Sequence, residues 1–178
     1  FLYSGQDAGA TLIVAMVVIW AVRLGGFLFT RISRTGHDRR FAKIKPDFLQ
    51  FLMTWTLQGL WVFITFAAGL SALTSGKAYP FDAFVGVGSV LWLTGFLIEV
   101  VADHQKSDFR KDPGNKDKFI QHGLWACSRH PNYFGEILLW IGIAIAALPM
   151  LEGWQFVTLI SPIFVVVLIT KISRVRML

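Results

Sequence analysis

The sequence predicts an all-α integral membrane protein of about five transmembrane helices, with its basic ends on the cytoplasmic side. Three observations predict it. Of 178 residues, 54% are hydrophobic and 16% charged, with 15% aromatic. A soluble domain carries about 25% charged residues, so the chain has too little polar surface to cover a globule. Apolar stretches of spanning length recur along it. The Lys and Arg residues fall in alternate joins between those stretches.

The spans follow in order. The first covers residues 8–29, in which Arg23 is the one charged residue. A basic join at 31–47 leads to a second span at 48–73. A short turn at 74–80 precedes the third, at 81–102, which runs on into a polar stretch at 103–128. The fourth and fifth, 133–151 and 154–170, are the shortest, and the turn at 149–153 between them fits only an antiparallel hairpin. Each approaches the roughly 20 apolar residues that cross a bilayer. Of the 17 Lys and Arg, all but Arg23 and Lys77 lie in the first join, in or beside the third, or in the basic tail. Alternating spans put these three segments on one side, which positive-inside logic makes the cytoplasm or its topological equivalent.

Residues 1–178 read as a single membrane domain, without repeat, linker or cleavable signal. Because Phe1 opens the chain in place of Met, further segments are expected before Phe1 and after Leu178. The lone Cys127 excludes a disulfide framework and a cysteine-rich metal site. Net charge is +6, but it follows topology, so attraction to anionic membrane lipids accounts for it and nucleic acid is not an expected partner.

Ionisable groups at helix depth either cost several kcal/mol or find a partner. Arg23, Glu99, Asp103 and Glu136 are such groups. One reading pairs Arg23 with Glu99 or Glu136 as a helix lock. The other gathers the three acids into a site near one membrane face. Beyond Asp103 a helix would carry Lys106 and Arg110 on the same face, ending at Asp112-Pro113-Gly114. Pro131 suits the first turn of the fourth helix, with Arg129 and His130 just before it and Tyr133 just after. That is an anion site at the membrane surface. Asn132 and Glu136 lie one turn apart on one face. A lone histidine there makes no metal site. Gly86-Val87-Gly88 lies inside a membrane helix and reads as packing. Neither a Gly-rich phosphate loop nor a nucleophile elbow is present.

These residues resemble a known family. The pattern Glu99, Ala102-Asp103-His104-Gln105-Lys106, Phe109-Arg110, then Gly123-Leu124-Trp125, Ser128-Arg129-His130-Pro131-Asn132-Tyr133-Phe134-Gly135-Glu136 and Trp140 is similar to the steroid 5-alpha-reductase superfamily. Within it the DUF1295 branch, related to the sterol delta-14 reductases, is the nearest match, and Trp20, Arg23-Leu24, Arg31, Asp38-Arg39, Phe41 and Ser161-Pro162 fit the same branch. Isoprenylcysteine carboxyl methyltransferases carry a similar Arg-His-Pro-x-Tyr.

The resemblance implies a polytopic enzyme that takes NADPH from the cytoplasmic side and reduces a carbon–carbon double bond of a lipid or sterol-like substrate. It implies cofactor-binding positions at Glu99, Asp103, Lys106, Arg110, Arg129, His130, Asn132 and Tyr133. Arg31 and Arg34 are expected partners of the phosphates, and Glu136 is the expected catalytic acid. One departure is Trp20, where steroid reductases place a Tyr; an indole N–H donates a hydrogen bond but is no proton source. Two alternatives stand beside the reductase. One is a non-catalytic subunit of a larger membrane assembly that keeps the fold. The other is a membrane methyltransferase using S-adenosylmethionine.

Overall fold

A computed structural model describes residues 7–35, 46–115 and 118–172, and every regular element among them is helical. Helix α1 (Ala8–Thr35) is followed by α2 (Phe48–Thr65), α3 (Ala67–Leu73) and α4 (Ala83–Phe109). After a short helix α5 (Leu124–Cys127) come α6 (Pro131–Ala147) and α7 (Ile160–Val167), the last entered through a 3-10 segment at Gly153–Leu159. Five helical segments are long and apolar enough to cross a membrane: Ala8–Thr30, Phe48–Thr65, Ala83–Phe109, Pro131–Met150 and Gly153–Thr170.

Local chemistry sets the starts. Asp47 accepts the Gln50 N–H at 3.0 Å and Asp82 accepts that of Val85 at 2.8 Å, so each caps an otherwise orphaned donor. Pro131 opens α6, where its missing N–H loses nothing. Two boundaries differ from the sequence reading. The predicted second span breaks at Phe66, where the ring lies over Gly69. Helix α1 runs past residue 29 to Thr35, because hydropathy marks the edge of the bilayer rather than the end of the helix.

Helices α4 and α6 form the spine. A Cβ placed on Gly88 would lie 2.5 Å from the Gly142 carbonyl oxygen, and one on Gly95 equally close to that of Gly135. The reverse substitutions meet the same obstruction, so two reciprocal glycine pairs let the backbones touch. Around them Val85, Trp92, Leu139, Ile143 and Ala146 are buried together with Ile13 and Met16 of α1. Gly88 therefore packs as expected, and no residue of α2 is buried.

One end of the bundle is closed by Tyr79. Its carbonyl accepts the Gly9 N–H at 2.8 Å and its hydroxyl donates to the Ala146 carbonyl. Burial, then the charge of Asp82, raises the Tyr79 phenol above its ordinary value, which keeps it a donor. Lys77 pairs with Glu152 at the same end. The start of α1, the turn before α4 and the turn after α6 thus share one end, leaving the polar residues of α4 and α6 at the other.

Candidate functional site

At the opposite end Arg23 reaches from α1 to α4. Its Nη1 donates to Glu99 Oε1 and its Nη2 to Asp103 Oδ2. Asn132, in the first turn of α6, donates through Nδ2 to Asp103 Oδ1 at 3.3 Å. The glycine contact explains the convergence: a Cβ at Gly135 would come within 2.8 Å of the Glu99 backbone nitrogen. No longer side chain leaves α4 and α6 close enough for Asp103 and Asn132 to meet.

Of the two pairings the sequence allowed Arg23, the structure adopts that with Glu99 and adds Asp103. Glu136 faces Glu99, Asp103 and Arg23 but joins no salt bridge among the described residues. Two carboxylates therefore share one guanidinium, with Glu136 beside them, in a site where Glu99 is only 5% exposed. Among the described residues, two buried acceptors, Glu99 Oε2 and Asn132 Oδ1, have no hydrogen-bond partner. The Trp20 indole faces the Glu99 carboxylate without closing a full hydrogen bond, and its ring meets Trp140 edge-on at 5.1 Å.

Above this cluster lies a cationic lip. Lys106 Nζ sits 4.9 Å over the Trp125 ring. Trp125 packs against His130 at 6.5 Å, and His130 against Tyr133 at 5.4 Å. Burial, with the neighbouring charges of Lys106 and Arg129, lowers His130 below its ordinary value of 6.5. The expected backbone anion site is narrower than the sequence suggested. Pro131 has no N–H, and Tyr133 and Phe134 both donate to the His130 carbonyl. The side chains of Lys106, Arg129 and His130 must supply most of the donors.

Other expected residues stand apart. Arg110 is the C-cap of α4, keeps helical dihedrals and donates its N–H to the Lys106 carbonyl at 3.2 Å, and its side chain is exposed. Arg129 is exposed at the rim. Arg31 and Arg34 lie near the end of α1, and their side chains are outside the described residues. Sequence reasoning left Arg23 out of the site, although its charge within a span was the signal. It also gave no separate role to Gln105 or Trp125, although both stand in the motif that carries the resemblance.

Membrane-crossing helices around an ionisable cluster at one end define a polytopic integral membrane protein with a polar site near one bilayer face. The chain belongs to the family described as "Protein of unknown function (DUF1295)", which matches residues 1–178, the branch its motifs indicated. It is 39% identical over 69 residues to the protein named 3-oxo-5-alpha-steroid 4-dehydrogenase 1 of Bos taurus, covering 39% of this chain and 26% of that protein. The Homo sapiens protein of the same name is 41% identical over 61 residues, 34% of this chain and 24% of its own length. The Probable O-methyltransferase ustE of Ustilaginoidea virens is 29% identical over 98 residues, 55% of this chain and 34% of that protein. The matched stretch thus spans between a quarter and a third of these relatives. No solved structure matches.

Proposed function

We propose that the chain forms the cofactor face of a membrane reductase that uses NADPH to reduce a carbon–carbon double bond of a lipid or sterol-like substrate. The observation that carries this reading is the division of the site. Cations stand at the membrane surface, and below them lie buried acceptors without partners, Glu99 Oε2 and Asn132 Oδ1. A dinucleotide fits both halves. Its phosphates suit Lys106, Arg129 and His130, with Arg31 and Arg34 as further candidates, and its amide or ribose hydroxyls suit the acceptors. NADPH supplies a hydride when bound. The chain's own residues orient it: Arg23 fixes Glu99 and Asp103, Asp103 fixes Asn132, and the apolar helices exclude water. Glu136, unpaired beside them, is the acid available at the reacting end. The matched stretch of the steroid dehydrogenases supports the same class.

Binding measured on the purified chain in detergent tests this reading. NADPH should bind more tightly than NADH and weaken as salt rises, because several cations meet phosphates. Asn132→Ala should raise Kd about tenfold, equivalent to ~1.4 kcal/mol. The methyltransferase reading draws on the O-methyltransferase relative, which overlaps more of this chain than the two dehydrogenases do. S-adenosylmethionine carries cationic groups that suit three carboxylates, but it has no phosphate for the lip. Its tight binding without NADPH binding would move the assignment. Binding of neither would leave the Arg23 network as the brace of a non-catalytic subunit.

A further inference from the structure

Two contacts tie α5 to the last turns of α4. Gln105 Oε1 accepts the Leu124 N–H at 3.0 Å. Trp125 Nε1 donates to the Ala102 carbonyl at 3.0 Å, an oxygen in the helix interior that is 0% exposed as a residue. Gly123 makes the fit possible. It adopts φ +60, and a Cβ there would collide with the Gln105 amide. From Trp125 the contact passes to Lys106 on one side and to His130 on the other.

We propose that Gln105 and Trp125 are positioning residues, a latch that holds the α5 segment on α4 and so sets Lys106 and His130 as one anion-binding lip above Asp103 and Asn132. The functional consequence rests on the cofactor reading; the latch itself does not. A long polar connection joins α4 to α6, and nothing in its length fixes where Arg129 and His130 stand. The two hydrogen bonds and the Trp125 ring do. The ring presents one face to the Lys106 ammonium, an attraction that restrains a flexible cation. It also meets the His130 ring edge-on at 6.5 Å, which keeps the imidazole on the Lys106 side, where a phosphate could meet both groups.

The test uses the full chain and two variants that cut the latch at separate points. Gln105→Met keeps the side-chain length and removes the acceptor. Trp125→Phe keeps an aromatic ring and removes only the N–H donor and some area. Three quantities are read: Tm, the His130 titration by NMR, and Kd for NADPH. Both variants should remain folded, move the His130 titration up toward its ordinary value, and weaken NADPH about threefold to tenfold, the range set by losing one hydrogen bond. A merely structural role would move Tm and leave the His130 titration where it is. Unchanged titration in both folded variants overturns the latch, as does unfolding of both. If His130 responds to the variants while the wild type binds no NADPH, the cofactor reading fails and the latch stands. If NADPH binds and His130 ignores both variants, the reverse holds.

Discussion

Arg23 holds one positive charge between two carboxylates, with both of its terminal nitrogens engaged. Removing it leaves a buried Glu99 and a half-buried Asp103 without a counter-charge. Arg23→Met should therefore destabilise the protein by about 3–5 kcal/mol, read by denaturation in detergent. Adding Glu99→Gln should recover much of that loss; independent, additive effects of the two changes would show that the pair is not coupled. Glu136 is different, since it has no salt bridge among the described residues to lose. Glu136→Gln should leave Tm nearly unchanged while lowering kcat about tenfold or more, because an interaction confined to the transition state appears there. A large fall in Tm with no change in turnover would make Glu136 a structural acid. His130 sets a pH dependence. Its folded value lies below the unfolded 6.5 because burial and then Lys106 and Arg129 oppose the proton. Its contribution to stability is complete above pH 6.5 and is lost as pH falls through that window. A phosphate at the lip reverses the balance by favouring the charged imidazole, so NADPH binding should take up a proton and tighten as pH falls toward the ordinary His value of 6.5. Isothermal titration in two buffers of different ionisation enthalpy measures that uptake directly. Zero uptake would remove His130 from the cofactor site.

Helices α4 and α6 carry the site because they touch through glycine. An added methyl at Gly95 or Gly135 meets backbone rather than a movable side chain. Gly95→Ala should lower stability by about 1–3 kcal/mol through overpacking, and should weaken cofactor binding too, since Glu99 and Asp103 ride on the displaced helix. Gly59 on α2 has nothing within 4 Å, so Gly59→Ala should be neutral or stabilising. Equal effects at the two positions would refute the close approach. The positions of the spans were legible because bilayer crossing demands apolar length, and that demand is local. The break at Phe66 was not, because it has neither glycine nor proline; it depends on a ring packing over Gly69 and on α3 burying Ala68 and Ala72. Glu99, Asp103, Asn132 and Glu136 stood out because polar groups are costly in an apolar chain. The partners of Arg23 lie 76 and 80 positions away, and no local spacing reports such a pairing. The seven-residue spacing of the glycines on both helices was visible, yet only packing shows that they face each other.

Across the whole molecule, alternating helices sort charge by side. Tyr79, Gly9, Ala146 and the Lys77–Glu152 pair gather at one end, while the Arg23 network and the cationic lip gather at the other. The bare apolar surface of α2 is compatible with this arrangement, since lipid tails cover such a surface without loss. Charge bias predicts that the lip faces the cytoplasm, and the proposed cofactor reading requires the same, because NADPH would reach Lys106 and His130 from water. Cysteine labelling tests both demands at once. In a Cys127→Ser background, which removes the exposed native thiol, single cysteines replace Gly76 and Lys118. A membrane-impermeant maleimide applied to sealed vesicles of known orientation should modify the Lys118 position from the cytoplasmic face and the Gly76 position from the opposite face. Modification of both from one face would contradict alternate crossing by α4 and the helices packed on it. Modification of each from the reversed face would keep the fold but turn the lip away from the cytoplasm. The charge bias and the NADPH assignment would then fail together, because a lip facing away from the cytoplasm is out of reach of NADPH supplied from that side.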